Sequence, residues 1–221
     1  MAVVARLLRW LVAFILLGGG LMALAGDWRS PYLWSLVVAM AVLGLWVVFK
    51  VLDPDLARER FHPPSRGADA TALVWVRLSA LAIFVFGPLD SGRLHWSAAV
   101  PPGARIVGIS GFLLGAWLTF RAMAANRFFS SVIRIQSERG HQVVDSGPYA
   151  SIRHPGYLGM ALLAPMAALA LGSWWALVPA GLYTLLILRR AATEDRFLRR
   201  NLPGYVEYAA RVRFRILPRI W

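Results

Sequence analysis

Arg134-Ile-Gln-Ser-Glu-Arg-Gly-His-Gln-Val-Val-Asp-Ser-Gly-Pro-Tyr-Ala-Ser-Ile-Arg-His-Pro-Gly-Tyr-Leu-Gly159 is the longest polar passage in the chain, and strongly apolar sequence stands on both sides of it. Gly147-Pro148-Tyr149 marks a turn. Arg153-His154-Pro155 then sets a cation and an imidazole just before a proline suited to the first turn of a new helix. The passage therefore reads as a polar loop pinned at the mouth of an apolar segment.

Outward from this loop, apolar runs dominate. Hydrophobic residues make up 58% of the 221 and charged ones 16%. Six runs can be drawn: Leu7 to Ala25, Pro31 to Leu52, Thr71 to Leu89, Ala104 to Ala125, Pro155 to Leu171 and Trp174 to Leu188. Such lengths predict an all-α integral membrane protein of about six transmembrane segments. Gly172-Ser173 alone separates the last two runs, so they read as a helical hairpin, and Pro165 and Pro179 predict kinks within it. The first run follows Arg6 and Arg9 in the manner of a signal peptide, but it is long and Gly26-Asp27-Trp28-Arg29 is a poor cleavage context, so it reads as a membrane helix.

A net charge of +13 raises the question of nucleic acid. The arginines crowd instead at the ends of apolar runs, where anionic lipid headgroups lie, and this argues against a nucleic-acid partner. With the N-terminus inside and six crossings, 21 of the 24 basic residues, from Arg6 through Arg66 to Arg219, fall on the cytoplasmic side. Only Arg29, Arg93 and Arg105 fall outside. Both termini, the polar loop and the tail then share the cytoplasmic face. Good helix formers from Arg189 to Leu202 read as a continuation of the last membrane helix into the cytoplasm, broken by Pro203-Gly204, and Tyr205 to Arg215 reads as a second short helix. With no cysteine and four scattered histidines, no disulfide framework or metal site is expected.

Two elements together carry a resemblance. Gly147-Pro148-Tyr149, Arg153-His154-Pro155, Tyr157 and Gly159 resemble the signature of the isoprenylcysteine carboxyl methyltransferase and phospholipid methyltransferase superfamily. Glu194-Asp195, Tyr205, Tyr208 and Arg211 are similar to its second element, although the family has two glutamates where this chain has Glu then Asp. The resemblance covers residues 120 to 221. The apolar runs put three N-terminal membrane segments in 1–103, and the resemblance implies a methyltransferase core in 104–221. That core comprises a cofactor loop at 126–159, a hairpin at 155–190 and a cytoplasmic tail at 191–221 that closes the site.

The implied activity is methyl transfer from S-adenosylmethionine to a lipophilic carboxylate, amine or hydroxyl, in a bacterial-type inner-membrane enzyme whose site faces the cytoplasm. Gln136, His141, Val143, Val144, Gly147, Tyr149, Arg153, His154, Pro155, Tyr157, Glu194, Asp195, Tyr208 and Arg211 would surround the cofactor. Arg121, Asn126 and Glu194 would serve catalysis, Arg121 by pairing with an acidic acceptor.

The residue chemistry is consistent with this. Arg153 or His154 can hold a carboxylate, Glu194 can accept from ribose hydroxyls or an amine, and tyrosine faces suit a sulfonium. Each residue also has a plainer reading: a helix start for His154, charge compensation for Glu194-Asp195, and snorkelling for Arg121. Two other functions compete, an NADPH-dependent reductase of a sterol-like lipid and a membrane scaffold without catalysis.

Overall fold

A chain in hydrocarbon must satisfy its backbone internally, and the apolar runs do so as helices. The computed structural model describes residues 2–51, 54–64, 67–218 and 220, without the side chains of 2, 3, 5 and 6. Leu52, Arg66 and Arg219, and the side chain of Arg6, used above to bound a segment and count charge, lie outside that description. The described residues form eight α-helices: α1 Ala2–Ala25, α2 Pro31–Trp46, α3 Pro54–Phe61, α4 Ala70–Leu89, α5 Pro102–Ala125, α6 Pro155–Leu171, α7 Leu177–Asn201 and α8 Tyr205–Arg211. Wider turns at Val47–Val51 and Asp90–Leu94 extend α2 and α4.

Four spans are long and apolar enough to cross a membrane, Leu7–Ala25, Pro31–Val51, Ala70–Leu94 and Pro102–Ala125, and this is an integral membrane protein. α6 is apolar but shorter. Its 17 residues rise about 26 Å, a little less than a hydrocarbon core of roughly 30 Å. The second arm of the hairpin begins at Leu177 and runs without interruption to Asn201, so apolar arm and polar extension are one helix. Pro165 lies inside α6. Pro179 lies in the first turn of α7, where an amide has no intrahelical partner to lose, so the kink expected there has no cause.

α5 and α6 approach unusually closely because small residues line their contact. A Cβ on Gly108 would stand 2.4 Å from the Ala170 nitrogen, and one on Gly159 would stand 2.5 Å from the Gly115 carbonyl oxygen. Close backbone packing of this kind replaces the hydrophobic drive that lipid removes. At the far end of α6, Gly172 takes φ +82° to turn the chain, and Ser173 donates to the buried Asp90 at 2.5 Å. Leu21, Met22, Leu33, Leu36, Ile83, Phe112 and Leu171 fill the core between α1, α2, α4, α5 and α6.

The tail turns at Gly204, with φ +78°, into α8. This helix stops at Arg211 rather than Arg215, because the next residues bond to the loop instead. Amides of Arg153 and His154 donate to the carbonyls of Phe214 and Arg215 at 2.9 and 2.8 Å. The loop before α6 is thus held between helix start and tail.

Candidate functional site

Loop, α6 start, α7 and α8, together with α3 and α4, line a cavity of about 400 Å³. Its two ends differ. His141, Val143, Val144, Tyr149, His154, Glu194, Leu202, Tyr205 and Tyr208 line one end. Leu73, Val76, Ala80, Met160, Tyr183 and Ile187, with the arginines Arg60, Arg77 and Arg190 among them, line the other. A pocket of this size with one polar end and one more apolar end suits an amphipathic pair of reactants.

Glu194 and Tyr157 meet inside it. The Tyr157 hydroxyl donates to the Glu194 carboxylate at 2.5 Å, joining the first turn of α6 to α7. At the polar end the His141 ring stacks on Phe128 with centroids 4.5 Å apart, and its Nδ1 accepts from the Gln136 amide at 3.2 Å. Burial, then the charges of Arg134 and Arg139, push the His141 pKa down to about 4, so near neutrality it is an uncharged ring. The Tyr208 hydroxyl donates to the Tyr149 carbonyl at 2.8 Å, and Asn126 Nδ2 lies 3.4 Å from the Tyr149 hydroxyl.

Asp195 does something different from its neighbour. It is completely buried and accepts from Arg153 Nε at 2.7 Å, Tyr205 at 3.0 Å, and Arg199 and Arg215 at 3.1 Å each. Burial opposes its ionisation, but hydrogen bonds from His154 and Arg153 outweigh this and hold its pKa well below the usual carboxylate range. Arg153 also donates to the carbonyls of Val212 and Arg213 at 2.7 Å. Its guanidinium is therefore committed to the tail.

Of the residues named from sequence, Asn126, His141, Val143, Val144, Tyr149, Arg153, His154, Tyr157, Glu194 and Tyr208 line the cavity. The others stand elsewhere. Gln136 is fully buried behind the wall, bonded to the Phe128 carbonyl at 2.7 Å. Gly147 makes the turn with φ +59°, and Pro155 is buried as the first residue of α6. Arg211 is exposed and pairs with Asp145 at 2.8 Å. Arg121 is exposed on α5, 6.0 Å from the Trp117 ring, outside the lining.

Sequence reasoning missed the N-terminal half's share. Arg60 of α3 lines the cavity, as does Arg190 of α7, whose Nε lies 2.6 Å from Asp69. Glu59 is buried and receives Arg134 and Ser130, tying α3 to the loop. The spacing of Glu59 and Arg60 in a polar connection gave no signal of this.

Part of the chain is similar to known proteins. Residues 104–203 match a family model described as phospholipid methyltransferase. The lamin-B receptor of Drosophila melanogaster is 32% identical over 106 residues, which are 46% of this chain. The match spans 14% of that relative's length.

Proposed function

We propose, for a chain whose residues 104–203 form a domain of the phospholipid methyltransferase family, that the cavity binds S-adenosylmethionine at its polar end and a lipid acceptor at its apolar end. The family domain implies a membrane methyltransferase, a lipid substrate and this donor. The observation that carries the reading is Glu194, a carboxylate facing the cavity and hydrogen-bonded to Tyr157 where the two ends meet.

The residues fit the donor. Glu194 would accept from its amine or ribose hydroxyls, and Tyr157, Tyr149 and Tyr208 offer aromatic faces beside a cation. Neutral His141 and the Val143-Val144 segment would border the adenine. When bound, the donor supplies a methyl group on a sulfonium whose departing thioether is neutral. What the protein adds is alignment, and alignment of two reactants can supply most of such a rate enhancement. Tyr157 fixes the Glu194 carboxylate, Asn126 stands beside the Tyr149 hydroxyl, and the tail walls the polar end. An amine acceptor would pass its proton to Glu194; a carboxylate acceptor has none to lose.

In the same reading α6 and the apolar part of α7 are the fifth and sixth crossings, with both termini and the site on the cytoplasmic face. The charge distribution supports this, since the polar end of the cavity lies among the arginine-rich segments.

The test is calorimetric binding of S-adenosylmethionine and of NADPH to the detergent-solubilised protein, followed by transfer of labelled methyl to lipid extracts. Binding of the sulfonium donor alone, weakened roughly 10- to 100-fold by Glu194→Gln, is expected. NADPH binding alone would establish a reductase of a sterol-like lipid instead, and binding without any turnover would leave a scaffold.

A further inference from the structure

The acceptor half of the cavity holds cations that the donor reading leaves unused. Arg60 projects from α3, outside the matched domain, and lines the cavity together with Arg77 of α4 and Arg190 of α7. The Arg190 guanidinium is compensated: Asp69 lies 2.6 Å away and Nη2 donates to the Ser131 carbonyl at 2.5 Å. Arg60 is not. Its Nη1 donates to the Ser130 carbonyl at 3.1 Å and its guanidinium lies 5.3 Å from the Phe129 ring centroid. Among the described residues no carboxylate lies within ion-pair distance of it.

The charged and titratable groups that act most on Arg60 are Arg190, Tyr157, Tyr183 and Arg77. Burial, then the charge of Arg190, lowers its pKa, which marks a cation held in a place unfavourable to cations. A partly desolvated arginine beside a second arginine costs stability unless an anion joins them. The same fork of donors matches a carboxylate or a phosphate. The position adds the rest: Leu73, Val76, Ala80, Met160 and Tyr183 line the same cavity with apolar or aromatic surface.

We infer that Arg60, with Arg190 behind it, is the specificity-determining anion subsite of the acceptor chamber, and that the acceptor is a lipid whose head carries a carboxylate or phosphate. This rests on the methyltransferase reading for its role, though not for the binding itself. Tyr157 touches Glu194 on one side and is among the titratable groups that act on Arg60 on the other, so a lipid anion at Arg60 would have its head beside the donor end. Arg121, exposed on α5, does not line the cavity.

The experiment uses the whole protein in nanodiscs of neutral lipid and three photoreactive probes of one chain length: a diazirine fatty acid, its alkyl phosphate and its primary alcohol. Labelling of α4, α6 and α7 peptides is read by mass spectrometry. Wild-type protein should label about tenfold more strongly with one or both anions than with the alcohol. Arg60→Gln should abolish that preference while binding S-adenosylmethionine within about twofold of wild type, and Arg60→Lys should keep part of it. Inorganic phosphate and acetate in excess should compete poorly, since the anion is lipid-borne; full competition would assign the subsite to a free anion and overturn the lipid assignment. Equal labelling by all three probes in wild type overturns the inference with no variant needed. Loss of S-adenosylmethionine binding in Arg60→Gln would assign Arg60 to the donor and overturn it too. Failure of wild-type protein to bind S-adenosylmethionine, with the anion preference intact, would remove the methyltransferase reading but not the subsite.

Discussion

Asp195→Asn would keep the shape of the side chain at the centre of the tail and remove its charge. In the folded protein this carboxylate compensates Arg153, itself only 4% exposed, and the more accessible Arg199 and Arg215. Leaving a buried partner uncompensated costs about 3–5 kcal/mol. The two half-exposed arginines add little, because water already screens them. The loss falls on a local unit. Arg153 bridges the loop to the Val212 and Arg213 carbonyls, and the amides of Arg153 and His154 bond to Phe214 and Arg215. Opening of that unit should become at least about 100-fold more frequent. Hydrogen exchange read by mass spectrometry checks this on peptides covering residues 150–156 and 205–216, with α5 peptides as an internal reference. Exchange rates unchanged within threefold in both peptides would refute the account of Asp195 as the latch of the tail. Arg211→Ala, which breaks only an exposed pair, should change neither.

Gly159→Ala sets a Cβ against Thr119 Oγ1 and the Gly115 carbonyl, both within 2.5 Å, and should lower thermal stability in detergent by about 1–3 kcal/mol or more, read by intrinsic fluorescence. The neutral His141 predicts a pH effect. Its folded pKa, about 4, lies below the ordinary 6.5, so the unfolded chain takes up the proton first and stability falls as pH drops from about 6.5 to about 4. His141→Phe should flatten that part of a melting-temperature profile, and an unchanged profile would count against a desolvated ring. Arg121→Ala should leave S-adenosylmethionine affinity within about twofold, because its side chain lies outside the cavity; a loss of tenfold would return Arg121 to the site.

The apolar runs made four spans and the hairpin readable, since long stretches without charge have few alternatives to a helix. The second arm starts at Leu177 rather than Trp174, but its continuation past Arg189 was legible: Arg189 to Asn201 contains good helix formers and no breaker, and α7 is one helix. The polar connection at 54–70 defeated the reading. Its Glu59, Arg60 and Asp69 look like solvated charge in one dimension, and only folding brings them against Arg134, the cavity and Arg190.

The pair Glu194-Asp195 shows how far sequence alone reaches. Read as one acidic element, it assigns both carboxylates to the cofactor. On a helix, successive residues point about 100° apart, so two adjacent side chains cannot serve one small cavity equally. The structure divides them: Glu194 faces the cavity with Tyr157, while Asp195 turns into the tail and gathers Arg153, Arg199, Arg215 and Tyr205. The shorter side chain belongs on that second side. Asp195 is fully enclosed, and an added methylene there would displace four donors at once. Asp195→Glu should therefore loosen the tail measurably in the same exchange experiment, although it conserves charge. If it behaved as wild type while Asp195→Asn opened the tail, charge alone would hold the latch and the fit of the shorter side chain would be irrelevant.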